Sequence, residues 1–332
     1  MDPERFFTAS RVVIVAGKGG VGKTTVTAAL ARAASRSGLT PLIVELEGKS
    51  GMASMFGREP LDYTEVELAG AGGGHGAIRA RTLTPDDALL EYLQDTGLKR
   101  LSKRLVSSGV IDMVATAIPG IRDIIVLGKV KQIERAMAAG ADGSPDLVLI
   151  DAPAAGHAIT FLRSARGLLD AVRVGPIRSQ ATDVQEMLTE PASAQVVLVT
   201  LPEETPVNEL VETAFSLEDE VGVSLGPVVV NGLYPDVAGL DADPEEAAGA
   251  AGASLRGGEA GELEAAAAFR RHRIALQEEQ VERLAESLPL PQLRLPFLFT
   301  SELDPTGLER LADAVLAGVG ATPDLDEAEA AP

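Results

Sequence analysis

Cysteine is absent from this 332-residue chain. That one absence excludes disulfides, thiolate-bound zinc, iron–sulfur clusters and cysteine nucleophiles together. Histidine is scarce: His75, His157 and His272 are the only three, too few for a multi-histidine metal site. Basic charge is also short, with 29 Lys+Arg against 49 Asp+Glu and a formal charge of −20. Such a chain does not coat DNA or an anionic membrane by bulk charge. No stretch approaches the ~18 consecutive apolar residues of a spanning helix. The start, MDPERFF, lacks a basic region followed by an apolar core, so the expectation is a cytoplasmic protein. Hydrophobic residues still make up 45%, enough for a folded core. The length suits one large α/β domain with insertions, or two domains.

The acidity is unevenly spread. Residues 236–268 hold eight acids and one base, and residues 321–332 hold four acids and none, which leaves −9 for the rest. The first stretch is rich in Ala and Gly without a sustained apolar period, so a mobile acidic insert is expected there. The second reads as a disordered tail. Elsewhere, short β-branched runs alternate with helical patterns: residues 11–16, 41–46, 78–82, 146–150, 195–200, 226–231 and a short LRLPF strand. Continuous apolar strands separated by helices predict a mostly parallel sheet covered by helices on both faces. Between residues 84 and 140 the pattern is helical, opened by Thr84 as N-cap with Pro85 and Asp86 in the first turn. The expected division is an α/β domain over 1–83 and 141–332, with an inserted helical subdomain over 84–140.

The first strand runs into Gly17-Lys18-Gly19-Gly20-Val21-Gly22-Lys23-Thr24-Thr25, and a helical pattern follows. This is the phosphate-loop pattern G-x-x-x-x-G-K-[ST] in its strand-before, helix-after context. Glycines let backbone N–H groups converge on phosphate oxygens, and the helix N-terminus adds positive potential. Lys23 is placed for the β and γ phosphates and Thr24 for Mg²⁺, which implies ATP or ADP with Mg²⁺ as cofactors. Asp151, ending an apolar strand, suits the carboxylate that holds Mg²⁺ through water.

Lys18 gives the loop the form K-G-G-x-G-K-[ST]-T, which resembles the deviant phosphate loop of the SIMIBI ATPases. Asp151-Ala152-Pro153-Ala154-Ala155-Gly156-His157, then Phe161-Leu162, resembles the switch II motif D-T-A-P-T-G-H-x-x-x-F-L of the ArsA family. That family includes the arsenical-pump ATPase and the ATPase that delivers tail-anchored membrane proteins. Ile118-Pro119-Gly120 resembles its I-P-G segment. Covering roughly residues 10–320, the resemblance identifies the chain as a cysteine-free member of bacterial, actinobacterial type. It implies a P-loop NTPase fold and a dimer in which Lys18 reaches the partner's nucleotide; an exposed loop lysine is the alternative. It implies that Gly156 and His157 relay phosphate state, that Asn231 reads adenine, and that Pro296 and Phe297 flank the base. A turn residue at 231 and a helix-start residue at 157 are the plain alternatives.

Departures from the family pattern are as informative. Where switch I reads D-P-A-H-N, this chain has Glu47-Gly48-Lys49-Ser50-Gly51, so Glu47 is the candidate for orienting water, with Glu45 as a nearby rival and slow hydrolysis as the expectation. Without cysteines, neither a metalloid site nor a C-x-x-C zinc clasp is expected; the region aligned with the clasp is Phe269-Arg270-Arg271-His272. The insertion holds seven acids and eight bases, with apolar positions from Leu89 to Val126 that suit either a groove for a hydrophobic client or packing on the protein itself. The expected activity is that of a dimeric Mg-ATPase switch acting on a hydrophobic segment or membrane-associated partner, without nucleic acid. A weakly or non-hydrolysing subunit paired with a paralogous ATPase is the alternative, and a partition or positioning ATPase a third reading.

Overall fold

The β-branched runs become the centre of one sheet. A computed structural model describes residues 1–46, 51–95 and 120–323. The elements in chain order are α1 (Pro3–Thr8), β1 (Val12–Gly17), α2 (Lys23–Arg36), β2 (Pro41–Leu46), α3 (Gly51–Met55), β3 (Val66–Ala69), β4 (Ile78–Leu83), α4 (Pro85–Asp95) and α5 (Ile121–Ala138). After them come β5 (Leu147–Ala154), α6 (Ala155–Ala171), α7 (Pro176–Thr189), β6 (Ala194–Thr200), α8 (Glu204–Glu220), β7 (Ser224–Leu225) and β8 (Val228–Leu233). The last are α9 (Pro244–Ala250), α10 (Glu259–Ser287), β9 (Gln292–Pro296) and α11 (Pro305–Ala321).

The sheet order is β3-β4-β2-β5-β1-β6-β8-β9, with β7 beside β6. Every pairing is parallel except the β3–β4 edge. Side chains alternate across the pleat. Val12, Ile14 and Ala16 face a core shared with α5, α6, α7 and α8. Val13 and Val15 face the core under α2 and α11. Both faces are covered, so β1, β2 and most of β5 are buried along their length. The alanines of α2 let it lie close to the sheet, and Arg32–Glu309 and Arg36–Asp313 ion pairs tie it to α11.

The expected parallel α/β sheet is therefore present, and the expected strand at 78–82 is β4. The antiparallel β3 was not foreseen, because Val66 to Ala69 is short and mostly exposed. Of the insertion expected over 84–140, residues 96–119 lie outside the described residues. Its return helix α5 packs into the main core through Ile124, Val126, Leu127 and Val130. For Ile124 and Val126, packing on the protein's own core is the outcome. Glu134 of α5 is 2% exposed and meets Arg11 at 2.6 Å, Lys131 at 2.9 Å and Ser193 at 3.1 Å, pinning α5 to the start of β1.

Residues 236–268, expected as a mobile acidic insert, contain α9 and the first turns of α10. Asp243 caps α9 by accepting from the Glu245 and Glu246 amides, and Pro244 occupies the first turn. α10 begins at Glu259, inside the acidic stretch, with Glu259 and Glu262 in its first turn and an Ala265–Ala268 run behind them. Propensity and capping make these helices. Periodicity misses them because α9 buries no residue at all. Of the tail, only residues 321–323 are described.

Candidate functional site

The site forms where the parallel strands end, at the centre of the sheet. β1 delivers Gly17, paired with Val199 of β6. A Cβ at Gly17 would lie 2.3 Å from the Val199 carbonyl oxygen, so the close strand approach requires glycine. Gly20 (φ 85°) and Gly22 (φ 90°) turn the loop through the left-handed region, with Gly19 between Lys18 and Gly20, and Gly22 is the N-cap of α2. Val21 is 1% exposed and anchors the loop in the core.

Lys23 is 8% exposed, and its Nζ donates to the Lys18 carbonyl at 3.1 Å, folding the ammonium back under the loop. The Thr24 hydroxyl donates to Asp151 Oδ2 at 2.7 Å. Thr25, next on α2, is half-buried. Asp151 is 4% exposed on β5, flanked in register by Val15 of β1 and Glu45 of β2. A threonine hydroxyl beside a carboxylate is a hard oxygen pair that suits Mg²⁺, with water and phosphate supplying the other ligands. Among the described residues no group of three His, Asp or Glu side chains could hold a metal by itself. Such a site would need the nucleotide's own oxygens to be complete.

β5 runs directly into α6, so Gly156 and His157 stand exposed in the first turn of α6, while Phe161 and Leu162 are buried beneath. Glu47 lies outside the described residues. Its rival Glu45 is 1% exposed, in register with Asp151.

Lys18 points elsewhere. Its Nζ lies 2.6 Å from Glu209 Oε1 on α8 of the same chain. Both side chains are about 40% exposed (39% and 41%), so the pair is a weak, exchangeable one worth ~1 kcal/mol or less.

Asn231 is brought to the loop from β8, where its Nδ2 donates to the Val21 carbonyl at 2.9 Å. A Cβ on Gly22 would sit 2.3 Å from that Nδ2, so glycine at the helix cap also makes room for Asn231. Pro296 pairs with Leu233, and the Phe297 amide donates to the Leu233 carbonyl at 2.6 Å. The Phe297 ring meets Tyr234 at 5.4 Å and Phe299 at 4.8 Å.

Gln277 of α10, 5% exposed, clamps this turn: its Oε1 accepts from the Tyr234 amide at 2.8 Å and its Nε2 donates to the Gly232 carbonyl at 3.2 Å. Gln277, Glu209 and Tyr234 were not singled out from sequence. For Gln277 a signal existed: it shares a stripe with Val281 and Leu284 at helical spacing, a polar residue on an otherwise buried face. For Glu209, one acid among several on α8, none did.

The profile of the anion-transporting ATPase family matches residues 10–173. ATPase BagA of Mycobacterium tuberculosis is 33% identical over 228 residues, covering 68% of this chain and 66% of that protein. ATPase get3 of Schizosaccharomyces japonicus is 26% identical over 181 residues, covering 52% of each chain. ATPase GET3B of Arabidopsis thaliana is 23% identical over 280 residues, covering 69% of this chain and 65% of that protein. The matches thus span between about half and two thirds of these relatives' lengths. The profile takes in both the phosphate loop and the stretch after Asp151, the two places where the motifs are most specific, and the chain belongs to the ArsA family of anion-transporting ATPases.

Proposed function

We propose that the chain binds Mg-ATP and hydrolyses it as a dimeric switch of the ArsA type, handling a hydrophobic protein segment or membrane-associated partner. The observation that carries the reading is the 2.7 Å contact between Thr24 and Asp151 beside a loop that buries Lys23. Loop amides and the N-terminus of α2 supply fixed positive potential for phosphate oxygens. Lys23, already drawn under the loop, needs little reorganisation to meet the β and γ phosphates. Bound Mg²⁺ would neutralise charge on the phosphates, with Thr24 and Asp151 holding it. Asn231 steadies the loop, and Phe297 offers an aromatic face to the base.

Lys18 serves the partner's phosphates, and the switch includes its release from Glu209. The weakness of that ion pair makes such a release cheap. Glu47, one methylene longer than aspartate, would orient water, and its reach makes turnover slow.

Purified chain with Mg-ATP should show turnover that Lys23→Ala lowers by at least about 100-fold, as expected when an electrostatic group of this kind is removed. Turnover unchanged in Lys23→Ala would end the enzymatic reading. Tight nucleotide retention without turnover, restored by a second ATPase subunit, would favour the heteromeric alternative.

A further inference from the structure

α9 and the first half of α10 form an arm that the fold itself does not use. α9 buries nothing, and the buried residues of the 29-residue α10, Gln277, Val281 and Leu284, all fall in its second half. Yet the arm is not polar throughout. Val237, Leu240, Leu255, Leu263, Phe269 and Phe299 line a groove between the two helices. Leu263 is 50% exposed, Phe269 64% and Phe299 63%. Large side chains at that exposure, side by side along one groove, mark a surface built for contact.

Charge identifies the occupant. Residues 236–268 carry eight acids against one base. Asp236, Glu245, Glu246, Glu262 and Glu264 make no ion pair with any described residue, and each lies within two positions in sequence of a residue that lines the groove. The arginines at its inner end are committed within the protein. Arg270 lies over the Tyr234 and Phe299 rings, Arg271 pairs with Asp241, and Arg273 reaches Glu203. A second copy would set one −7 segment against another, and an anionic membrane or nucleic acid would be repelled in the same way. A basic partner gains on both counts, by covering the apolar groove and by neutralising the acidic segment that builds most of it.

We propose that the α9–α10 groove is a docking surface for an amphipathic helix with basic residues on both flanks of its apolar stripe. This mode lays one helix into a hydrophobic groove, with charge setting partner choice and association rate. It is tested apart from the nucleotide reading, although Phe299 at the inner end of the groove packs on Phe297 at 4.8 Å, the ring proposed to face the base.

The test uses the full chain and a fluorescently labelled helical peptide with a leucine stripe flanked by lysines. A matched peptide carries glutamate in place of lysine. Anisotropy titrations should show the lysine peptide binding at least about tenfold more tightly than the glutamate one, with affinity falling as ionic strength rises. Leu263→Gln and Phe269→Gln, at exposed positions, should each weaken the lysine peptide by about tenfold while leaving the melting temperature unchanged. Indifference of binding to both substitutions, or equal binding of the two peptides, would overturn the proposal. So would a dimer of the peptide-free chain, seen by sedimentation, that Leu263→Gln dissociates, because a second copy would then own the groove.

Discussion

Helices α2 and α10 both start on a left-handed glycine, Gly22 (φ 90°) and Gly258 (φ 92°). Locally they are the same device. Around Gly22, the ends of β1, β5 and β8 bring Lys23, Asp151 and Asn231 to within hydrogen-bonding range of the loop or its helix. Around Gly258 nothing lies within 4 Å of the position a Cβ would take. A glycine-capped helix N-terminus becomes a chemical site only where the sheet encloses it. Where it stays open, its surroundings can only offer surface.

The sharpest way to break this comparison is one and the same substitution on each side. Gly17→Ala drives a methyl to 2.3 Å from the Val199 carbonyl, so it should destabilise by ~3 kcal/mol or more, read as a drop in denaturation midpoint or as insoluble protein. A stable, active Gly17→Ala would show that the loop yields where the close approach implies it cannot.

Next in size is Glu134→Gln. Burial pushes the Glu134 carboxyl upward, but the hydrogen bonds from Lys131 and Arg11 together outweigh it and hold the pKa below the ordinary carboxylate value of 4.5. Removing one partner from a buried ionic cluster costs ~3 kcal/mol. A depressed carboxylate stabilises above its unfolded pKa and loses that contribution as pH falls through the folded value. The penalty of Glu134→Gln should therefore be full at neutral pH and shrink below pH 4.5, as urea midpoints across pH would show. A penalty independent of pH would mean that packing, not charge, joins α5 to β1.

Glu209→Gln should act more gently. Loss of a half-exposed ion pair worth ~1 kcal/mol or less frees Lys18, raising turnover at limiting protein concentration by up to about fivefold. In a Lys18→Ala background it should do nothing. An equal rise in that background would assign Glu209 a role unrelated to Lys18.

The smallest effect belongs to the arm. Gly261→Ala, in the first turn of α10 with open space around it, should stabilise by ~1 kcal/mol or less through helix propensity. The same chemical change thus carries opposite signs at positions 17 and 261.

The phosphate loop, Asp151 at its strand end and the parallel α/β class were legible in the chain because each rests on local pattern. A strand, a glycine-rich turn and a helix are contiguous there, and apolar runs buried on both faces read as unbroken. Asn231 and Phe297 were reached only through family resemblance. Their actual placement, one on the Val21 carbonyl and the other against Tyr234, depends on β8 lying beside β6 and β9 beside β8. The Ala265–Ala268 region misled because helix propensity without burial leaves no periodic trace. Gln277, Glu209 and the α9–α10 groove depend wholly on which distant elements meet: α10 on the 231–234 turn, α8 on the loop, α9 on α10. Composition and spacing determined which phosphate chemistry this chain can cradle, because backbone geometry near a glycine is set by its neighbours in sequence. Only the tertiary structure decided what holds Lys18, what clamps the base-side turn and what surface is left uncovered. Those depend on contacts between residues dozens to hundreds of positions apart, which local pattern does not encode.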